Sequence, residues 1–228
     1  MIEQSLLKTT DSNIVLANEA FHLAESIKFN RGKILSLYSL AINHSISADY
    51  DRSIYYLLQS IKLVDELQDE SLLDLKAEST RYLGEICRAT KDYDKGLEYL
   101  FESRNLFNKL NHQIGLSRTY NRLSSIYLEK FIYKECDSVI YYANLSNEIA
   151  YKIGFNEVIS NNLNILGTYY SGIGQDSLSI PTYKMCLEYF ENDDKFSERA
   201  NVLGNLARVY YKMNMNDSSL YYARLSYN

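Results

Sequence analysis

Apolar and small residues recur along this chain in paired segments with the spacing of α-helices. In one such pair Leu83 and Cys87 lie four residues apart, and Gly96 and Leu100 do the same a short distance further on. Residues four apart share one face of a helix, so each segment has a face suited to packing. The pattern therefore predicts pairs of amphipathic helices joined by short turns.

The pairs repeat with a period of about 40 residues, which indicates a helical-repeat protein. The first segments carry small residues at intervals of 43, 40, 43 and 40, namely Ala41, Gly84, Ser124, Gly167 and Ala207. The second segments begin at positions that keep the same period, namely Asp11, Asp51, Asp94, Asp137, Ser177 and Asp217. A three-residue insertion explains each longer interval, and we expect both insertions between helices, where they disturb no packing.

The second segments contain three further signals. Asp137 and Asp217 open the similar phrases "DSVIYYANLSN" and "DSSLYYARLSYN", and an acidic residue there favours a helix N-terminus by capping or through the helix dipole. Small residues at matching places in both helices of a pair predict close approach of their backbones. Pro181 falls several residues into its segment, so that helix is expected either to begin late or to be kinked.

The segment "YLGEICRATKDYDKGLEYLFES" resembles the tetratricopeptide repeat in a longer form of about 40 residues. The resemblance covers nearly the whole chain and implies an all-α fold, a right-handed α-α superhelix of about five helical pairs plus a partial N-terminal repeat. We expect one solenoid domain over residues 1–228, with repeats at about 1–31 (partial), 32–74, 75–114, 115–157, 158–197 and 198–228 (incomplete). Because the pattern stops two residues after Ser226, we also expect a piece of a longer protein.

Composition argues against several classes of function. With 24 Lys and Arg against 29 Asp and Glu, the net charge is -5, so general nucleic-acid binding by this segment is not expected. No apolar run is long enough to span a membrane, and the N-terminus lacks the pattern of a signal peptide. Cys87, Cys136 and Cys186 are widely spaced and are interpreted as small core residues. The three histidines are also far apart, so neither a metal site nor a cofactor is predicted.

No motif for catalysis is present in the sequence. The segment "SGIGQD" contains Gly172 and Gly174 but follows no strand, so it is interpreted as a turn and not as a phosphate-binding loop. The acidic pairs Asp65–Glu66 and Asp193–Asp194 are interpreted as solvated surface. We therefore expect a protein that is not an enzyme and has no catalytic residues.

In tetratricopeptide proteins the first helix of each pair lines a concave groove, and the resemblance implies which residues face it here. The implied peptide-binding residues are Arg81, Arg88, Arg118, Asn121, Arg122, Asn161, Asn164, Thr168, Asn201, Asn205, Arg208 and Tyr211. Asparagine amides match peptide bonds, and arginine forks match carboxylates. An alternative interpretation is that such residues are simply the solvated surface of an open groove, with Arg81 pairing along its helix to Glu78 or Glu85.

The opening of the chain and its Tyr- and Asn-rich style are similar to N-terminal sensor arrays of Bacteroidetes-type regulators. This implies a non-catalytic scaffold that binds a protein or an extended peptide within a larger signalling or transcription-regulatory protein, with a periplasmic location slightly favoured. Two alternatives stay open: a cytoplasmic regulator that responds to a peptide, and a structural module that forms homo-oligomers through uncapped ends.

Overall fold

The computed structural model describes residues 2–131, 134–190 and 196–227, which form eleven α-helices and no strand. The helices are α1 (Ile2–Ser26), α2 (Asn30–Ile46), α3 (Tyr50–Leu67), α4 (Leu73–Ala89), α5 (Tyr93–Lys109), α6 (Gln113–Lys130), α7 (Asp137–Ile153), α8 (Asn156–Gly172), α9 (Asp176–Glu188), α10 (Phe196–Lys212) and α11 (Asn216–Leu225). A short 3₁₀ turn, Glu70–Leu72, precedes α4. The all-α fold predicted from the sequence is confirmed.

The predicted helical pairs correspond to α2 with α3, α4 with α5, α6 with α7, α8 with α9 and α10 with α11. Both expected insertions lie between helices, one after Leu67 and the other after Lys130. Gly174 has a left-handed backbone, with φ of +79°, in the turn between α8 and α9. The interpretation of "SGIGQD" as a turn is therefore confirmed, because glycine adopts this conformation without strain.

The N-terminal segment differs from the pattern, since no helix begins at Asp11. Instead α1 is one helix from Ile2 to Ser26, and Asp11 lies in its interior. The residues between these ends include neither glycine nor proline, so nothing in the sequence stops the helix and starts a second one. The repeat period predicts a helix start at Asp11, and this prediction is wrong.

Aspartates begin the second helices in two different ways. The side chains of Asp49 and Asp92 lie at N-caps and accept hydrogen bonds from the backbone N–H groups of Arg52 and Lys95, over 3.3 and 3.4 Å. Asp137, by contrast, is the first residue of α7, after an N-cap whose side chain makes no capping hydrogen bond, and Asp217 lies in the first turn of α11 in the same situation. Of the two roles expected for Asp137 and Asp217, only the interaction with the helix dipole remains.

Pro181 lies inside α9, which begins at Asp176 and continues to Glu188. The expectation of a late start is therefore wrong. Pro181 itself is exposed, so its ring does not disturb the core, but α9 lacks one N–H donor that would otherwise reach the preceding turn.

The chain forms two compact units, Met1–Gly115 and Leu116–Asn228. In unit 1 each helix from α1 to α5 packs on the next one in the sequence. Its core includes two clusters. One contains Ile34, Val64, Leu72 and Leu75, and the other contains Ala41, Leu57, Leu83 and Ile86. Cys87 is buried and directly follows Ile86 of the second cluster in the sequence. Its burial agrees with its interpretation as a small core residue.

In unit 2 the helices α7 to α11 also pack in chain order. Their main cluster includes the large side chains of Tyr183, Phe190 and Tyr210, together with aliphatic residues of α8 and α10. The thiol of Cys186 lies in this cluster, is completely buried, and donates to the carbonyl oxygen of Ser160 over 3.1 Å. Cys136 is only half-buried, so the core interpretation holds for two of the three cysteines.

Small residues bring the two helices of a pair into close contact, as the repeat pattern predicts. The hydroxyl of Ser53 donates to the carbonyl oxygen of Ala41 over 2.7 Å, across the pair α2 and α3. In the pair α6 and α7, the hydroxyl of Ser124 donates to the carbonyl oxygen of Val139 over 2.8 Å. A hydroxyl can reach a carbonyl within the neighbouring helix only where neither side chain is large, so these small positions determine the spacing of the helices.

Candidate functional site

The predicted binding residues of unit 2 lie on α6, α8 and α10, and amide groups link these helices at intervals of one repeat. The Nδ2 atom of Asn121 donates to Oδ1 of Asn162 over 2.8 Å, which connects α6 to α8. The Nδ2 atom of Asn205 donates to Oδ1 of Asn164 over 3.2 Å, which connects α8 to α10. Both bonds join residues 41 positions apart. The first helices of successive pairs are therefore held in register by asparagines.

Asn121 is part of a buried network and presents little surface to solvent. Its side chain is 3% exposed, and that of Asn162 is fully buried. The Nδ2 atom of Asn162 donates in turn to Ser146 Oγ and to Asn147 Oδ1, both over 2.8 Å. Asn121 therefore stabilises the surface from beneath, and the exposed binding groups must be sought among its neighbours.

The amides of α8 and α10 are more accessible. Asn161, Asn164 and Asn205 are half-buried, and Asn201 is exposed. Asn205 Nδ2 also lies 3.2 Å from Oδ1 of Asn201, so one amide bridges between two others. These side chains form a row of donors and acceptors of the kind that can pair with a peptide backbone.

A cavity of about 350 Å³ lies at the C-terminal end of this row. Three predicted residues line it, Thr168, Asn205 and Arg208, together with Lys212 and Tyr183, which the sequence pattern did not indicate. Its size is at the lower end of the usual range for ligand sites, about 300 to 1,000 Å³. Unit 2 therefore contains a concave site at the place where predicted residues of α8 and α10 converge.

Tyr183 forms the buried wall of this cavity. Its side chain is 2% exposed, and its hydroxyl lies 3.0 Å from Thr168 Oγ1. Burial raises the pKa of Tyr183, although the hydrogen bond with Thr168 and the charge of Arg208 partly oppose that rise. The phenol therefore remains protonated at neutral pH and is available as a hydrogen-bonding group.

The cavity is bordered by two exposed cations. Arg208 and Lys212 lie four residues apart on α10, and therefore on one face of that helix. The Nζ atom of Lys212 lies 3.1 Å from both the carbonyl oxygen and the hydroxyl of Ser171 at the end of α8. The lining also includes one carboxylate, that of Glu129. This balance of charges favours an anionic group in the ligand.

Other predicted residues of unit 2 lie outside the lining of the cavity. The guanidinium of Arg118 lies 5.0 Å from the ring centroid of Phe155, in a cation–π contact. Arg122 Nη1 donates to Oδ1 of Asn121 over 3.3 Å. Tyr211 is 68% exposed. These side chains extend the polar surface without joining the cavity.

In unit 1 the predicted arginines pair along their own helix. Arg81 is 8% exposed, and its Nη2 atom lies 2.7 Å from Glu78 Oε2. Burial would lower the pKa of Arg81, but the charge of Glu78, followed by weaker charges, outweighs it and the pKa is raised. Arg88 pairs in the same way with Glu85 over 2.7 Å. Arg81 therefore pairs along its helix with Glu78, as the alternative interpretation has it, but Arg81 is buried and Glu78 is half-buried.

Comparison with solved structures identifies the fold. BtubC from P. vanneervenii aligns with a TM-score of 0.77 at 14% identity, over 95% of this chain and 89% of that one. The apo form of RapI aligns with a TM-score of 0.73 at 20% identity, over 96% and 76%. A Rap protein complexed with competence and sporulation factor aligns with a TM-score of 0.72 at 15% identity, over 98% and 59%.

The chain has a tetratricopeptide-like helical-repeat fold. No protein-family model matches the sequence, and no curated protein matches it. In this tetratricopeptide-like protein the described residues include no group of three or more His, Cys, Asp or Glu side chains able to hold a metal ion. Among the helices that the structure describes, none is long and apolar enough to cross a membrane.

Sequence reasoning missed Tyr183 and Lys212 for different reasons. Tyr183 belongs to a second helix, whereas the tetratricopeptide resemblance assigns the groove to first helices. Groove residues were assigned by their distance from the small residue of each first helix, which is Ala207 in α10. Tyr211 lies four residues after Ala207 and was selected, whereas Lys212 lies five residues after it and was not. Its spacing of four from Arg208 was a signal that could have identified it, because two cations at this spacing share a helix face.

Proposed function

We propose that unit 2 binds an extended peptide segment carrying an acidic side chain, on the surface formed by α6, α8 and α10. In this proposal the protein acts by binding and not by catalysis. The accessible amides of Asn161, Asn164, Asn201 and Asn205 pair with the peptide backbone, and the acidic side chain enters the cavity beside Arg208 and Lys212.

The cavity beside Tyr183 is the observation that carries this proposal. It combines an amide from Asn205, the hydroxyl pair of Thr168 and Tyr183, and two exposed cations within one concave site. Neutral donors and acceptors alone would suit any polar ligand, but adjacent cations select a carboxylate. The apolar lining includes Leu128 and Phe131, which could contact the stem of an acidic side chain.

The buried predicted residues have a supporting role in this proposal. Asn121 holds Asn162 in place, and Asn162 belongs to the same helix as Asn161 and Asn164. Arg81 lies in unit 1 and is paired with Glu78, so the proposal assigns it no ligand contact. Arg88 also lies in unit 1 and is paired with Glu85, so it is assigned no ligand contact either, whereas Arg118, Arg122 and Tyr211 of unit 2 remain secondary contact residues outside the cavity.

A role as the sensory or interaction region of a larger signalling or regulatory protein is part of the same proposal. The support is a likeness of fold to a Rap protein that was solved in complex with competence and sporulation factor. The chain spans 59% of that protein's length. The ligand of this chain is defined here only by its chemistry, an extended and acidic segment.

The proposal can be tested with three pools of fluorescein-labelled octapeptides, randomised except for a central Glu, Gln or Lys. Binding to the full chain is measured by fluorescence polarisation. We expect the Glu pool to bind better than the Gln pool, and the Lys pool to bind least. The variant Arg208→Ala/Lys212→Ala should weaken binding of the Glu pool by about tenfold or more, since it removes both charge-assisted contacts.

The matched control is Arg199→Ala/Arg224→Ala, which removes two exposed cations of unit 2 from outside the cavity lining. It changes the net charge by the same amount, so it should leave the preference for Glu unchanged. Equal binding of the three pools, or an equal loss of binding in both double variants, would show that the cavity does not select an acidic segment.

A further inference from the structure

A second cavity lies in unit 1 and is built from residues that the proposed function does not use. It has a volume of about 370 Å³ and is lined by residues of α1, α2 and α3. Helix α2 contributes the buried leucines Leu37 and Leu40, and α1 and α3 contribute polar and aromatic side chains. This volume falls within the range typical of small-molecule sites, about 300 to 1,000 Å³.

Aromatic rings from two different helices line this cavity. Phe21 and His22 of α1 are in edge contact, with ring centroids 5.8 Å apart and planes at 77°. Tyr55 and Tyr56 of α3 form a similar contact, with centroids 5.3 Å apart and planes at 72°. Tyr56 also stacks on His44, with centroids 5.4 Å apart, so Tyr55 and Phe21 are the rings better placed to meet a further ring. Aromatic pairs favour offset or edge-to-face arrangements. The lining is therefore suited to a planar aromatic group.

The charged groups of the lining are two lysines, Lys33 and Lys62, and one carboxylate, that of Glu66. Lys33 is the more enclosed, with 20% of its side chain exposed, and its Nζ atom lies 3.1 Å from Glu25 and 5.5 Å from the ring centroid of Phe21. Lys62 is exposed and lies 3.6 Å from Glu66. An ammonium group has three donors, so the contact with Glu25 leaves Lys33 able to donate to a ligand as well.

The amide residues Asn18 and Gln59 also belong to the lining. Asn18 donates through Nδ2 to the backbone oxygen of Ile14 over 2.9 Å, a bond that does not use its Oδ1 acceptor. Acceptors of this kind suit the N–H group of a heteroaromatic ring such as indole. The combination of ring faces, an enclosed ammonium and an amide acceptor therefore describes one class of ligand.

We propose that the cavity between α1 and α3 binds a small aromatic carboxylate, with its ring against Phe21, Tyr55 and Leu40 and its carboxylate on Lys33. A cationic aromatic ligand placed against Phe21 is disfavoured because the enclosed Lys33 would repel it, whereas the charge of Lys62 is offset by Glu66, which also lines the cavity. A neutral aromatic ligand would fill the apolar part of the cavity without satisfying Lys33. This site is independent of the peptide-binding proposal, because all of its residues lie in unit 1.

The chain offers two matched controls. Tyr141 resembles Tyr55 closely: both are 58% exposed, and Tyr141 makes an edge contact with Tyr142 at 5.0 Å and 72°. Lys76 resembles Lys33, since 18% of its side chain is exposed and its Nζ atom lies 2.6 Å from Asp65. Neither Tyr141 nor Lys76 lines the cavity, so their replacement tests for general effects of losing a tyrosine or a lysine.

The experiment measures binding of indole-3-propionate, tryptamine and 3-methylindole to the full chain by saturation-transfer NMR and calorimetry. We expect indole-3-propionate to bind saturably, and tryptamine to bind about tenfold more weakly or not at all. Tyr55→Ala should weaken binding of both indole-3-propionate and 3-methylindole. Lys33→Gln should weaken binding of indole-3-propionate by about tenfold while leaving binding of 3-methylindole nearly unchanged.

The variants Tyr141→Ala and Lys76→Gln should bind indole-3-propionate as the parent chain does. The absence of saturable binding of indole-3-propionate to the parent chain would overturn the proposal. So would equal binding of tryptamine, or equal losses in Tyr55→Ala and Tyr141→Ala. Circular dichroism of each variant confirms that it is folded, and Tyr55→Ala changes an exposed side chain, so at least one informative variant should retain the fold.

Discussion

The hydroxyl of Ser179 donates a hydrogen bond to the carbonyl oxygen of Gly167 over 2.8 Å. The bond crosses from α9 to α8 and joins the small residues that the repeat pattern pairs, 12 positions apart. Tyr183 lies on the same side of α9, and its ring covers Gly167 so closely that an added Cβ atom would lie 2.7 Å from two ring carbons. The backbone contact and the wall of the candidate peptide site therefore depend on one glycine.

The variant Gly167→Ala should lower the free energy of unfolding by about 1 to 3 kcal/mol, because the new methyl group overpacks against Tyr183. Chemical denaturation followed by circular dichroism measures the change. Gly204→Ala is the matched control, since Gly204 lies inside α10 and nothing lies within 4 Å of its added Cβ atom. That control should stabilise the chain by about 0.5 to 1 kcal/mol through helix propensity. Equal effects of the two changes would contradict the close contact.

Capping aspartates should matter more than aspartates that only face a helix dipole. Asp92→Ala removes the acceptor for the N–H of Lys95 and should lower stability by about 0.5 to 2 kcal/mol. Asp137→Ala removes no capping bond and should cost about 0.3 to 1 kcal/mol. Repeating both measurements in 1 M salt discriminates further, because salt screens the dipole interaction of Asp137 and leaves much of the capping bond. A larger loss for Asp137→Ala at either salt concentration would be inconsistent with these roles.

The repeat itself could be predicted from sequence because small residues leave a periodic signal that packing requires. Ala41 and Ser53, or Gly167 and Ser179, are recognisable as pairs from their spacing alone. Burial of a polar residue leaves no such signal. Asn121 and Asn164 occupy equivalent positions in successive repeats, yet the first is buried against Asn162 and the second is only half-buried. That difference depends on the partner in the next repeat, because Asn121 donates to the buried Asn162 of α8, whereas Asn164 accepts from the half-buried Asn205 of α10.

The thiol of Cys186 should make stability depend on alkaline pH. Burial raises its pKa from 9.0 to about 12. The unfolded chain therefore ionises this thiol above pH 9, whereas the folded chain keeps it protonated until pH approaches about 12. The protonated thiol therefore makes its full contribution to the free energy of unfolding below pH 9, and this contribution is lost as the pH rises from about 9 to about 12. By about pH 10.5 the loss should reach roughly 2 kcal/mol.

The variant Cys186→Ala lacks this dependence, so its stability should decline less than that of the parent chain over the same range. Urea denaturation at a series of pH values, with the difference between the two proteins plotted against pH, isolates the thiol from the many tyrosines. A difference that stays constant with pH would refute the assignment.

The buried pair Asn121 and Asn162 should behave as one unit. Asn162→Ala leaves the amide of Asn121 without its partner and also removes the donors to Ser146 and Asn147, so it should cost about 1 to 3 kcal/mol. Asn121→Ala should cost less, because Asn162 retains its other two contacts. The double variant should be less destabilised than the sum of the two single changes, by about 0.5 kcal/mol or more, as expected for residues in direct contact.

Asn161→Ala, at a half-buried position beside Asn162, serves as the control and should change stability by less than about 0.5 kcal/mol. Strict additivity in this double-mutant cycle would show that the hydrogen bond does not couple α6 to α8.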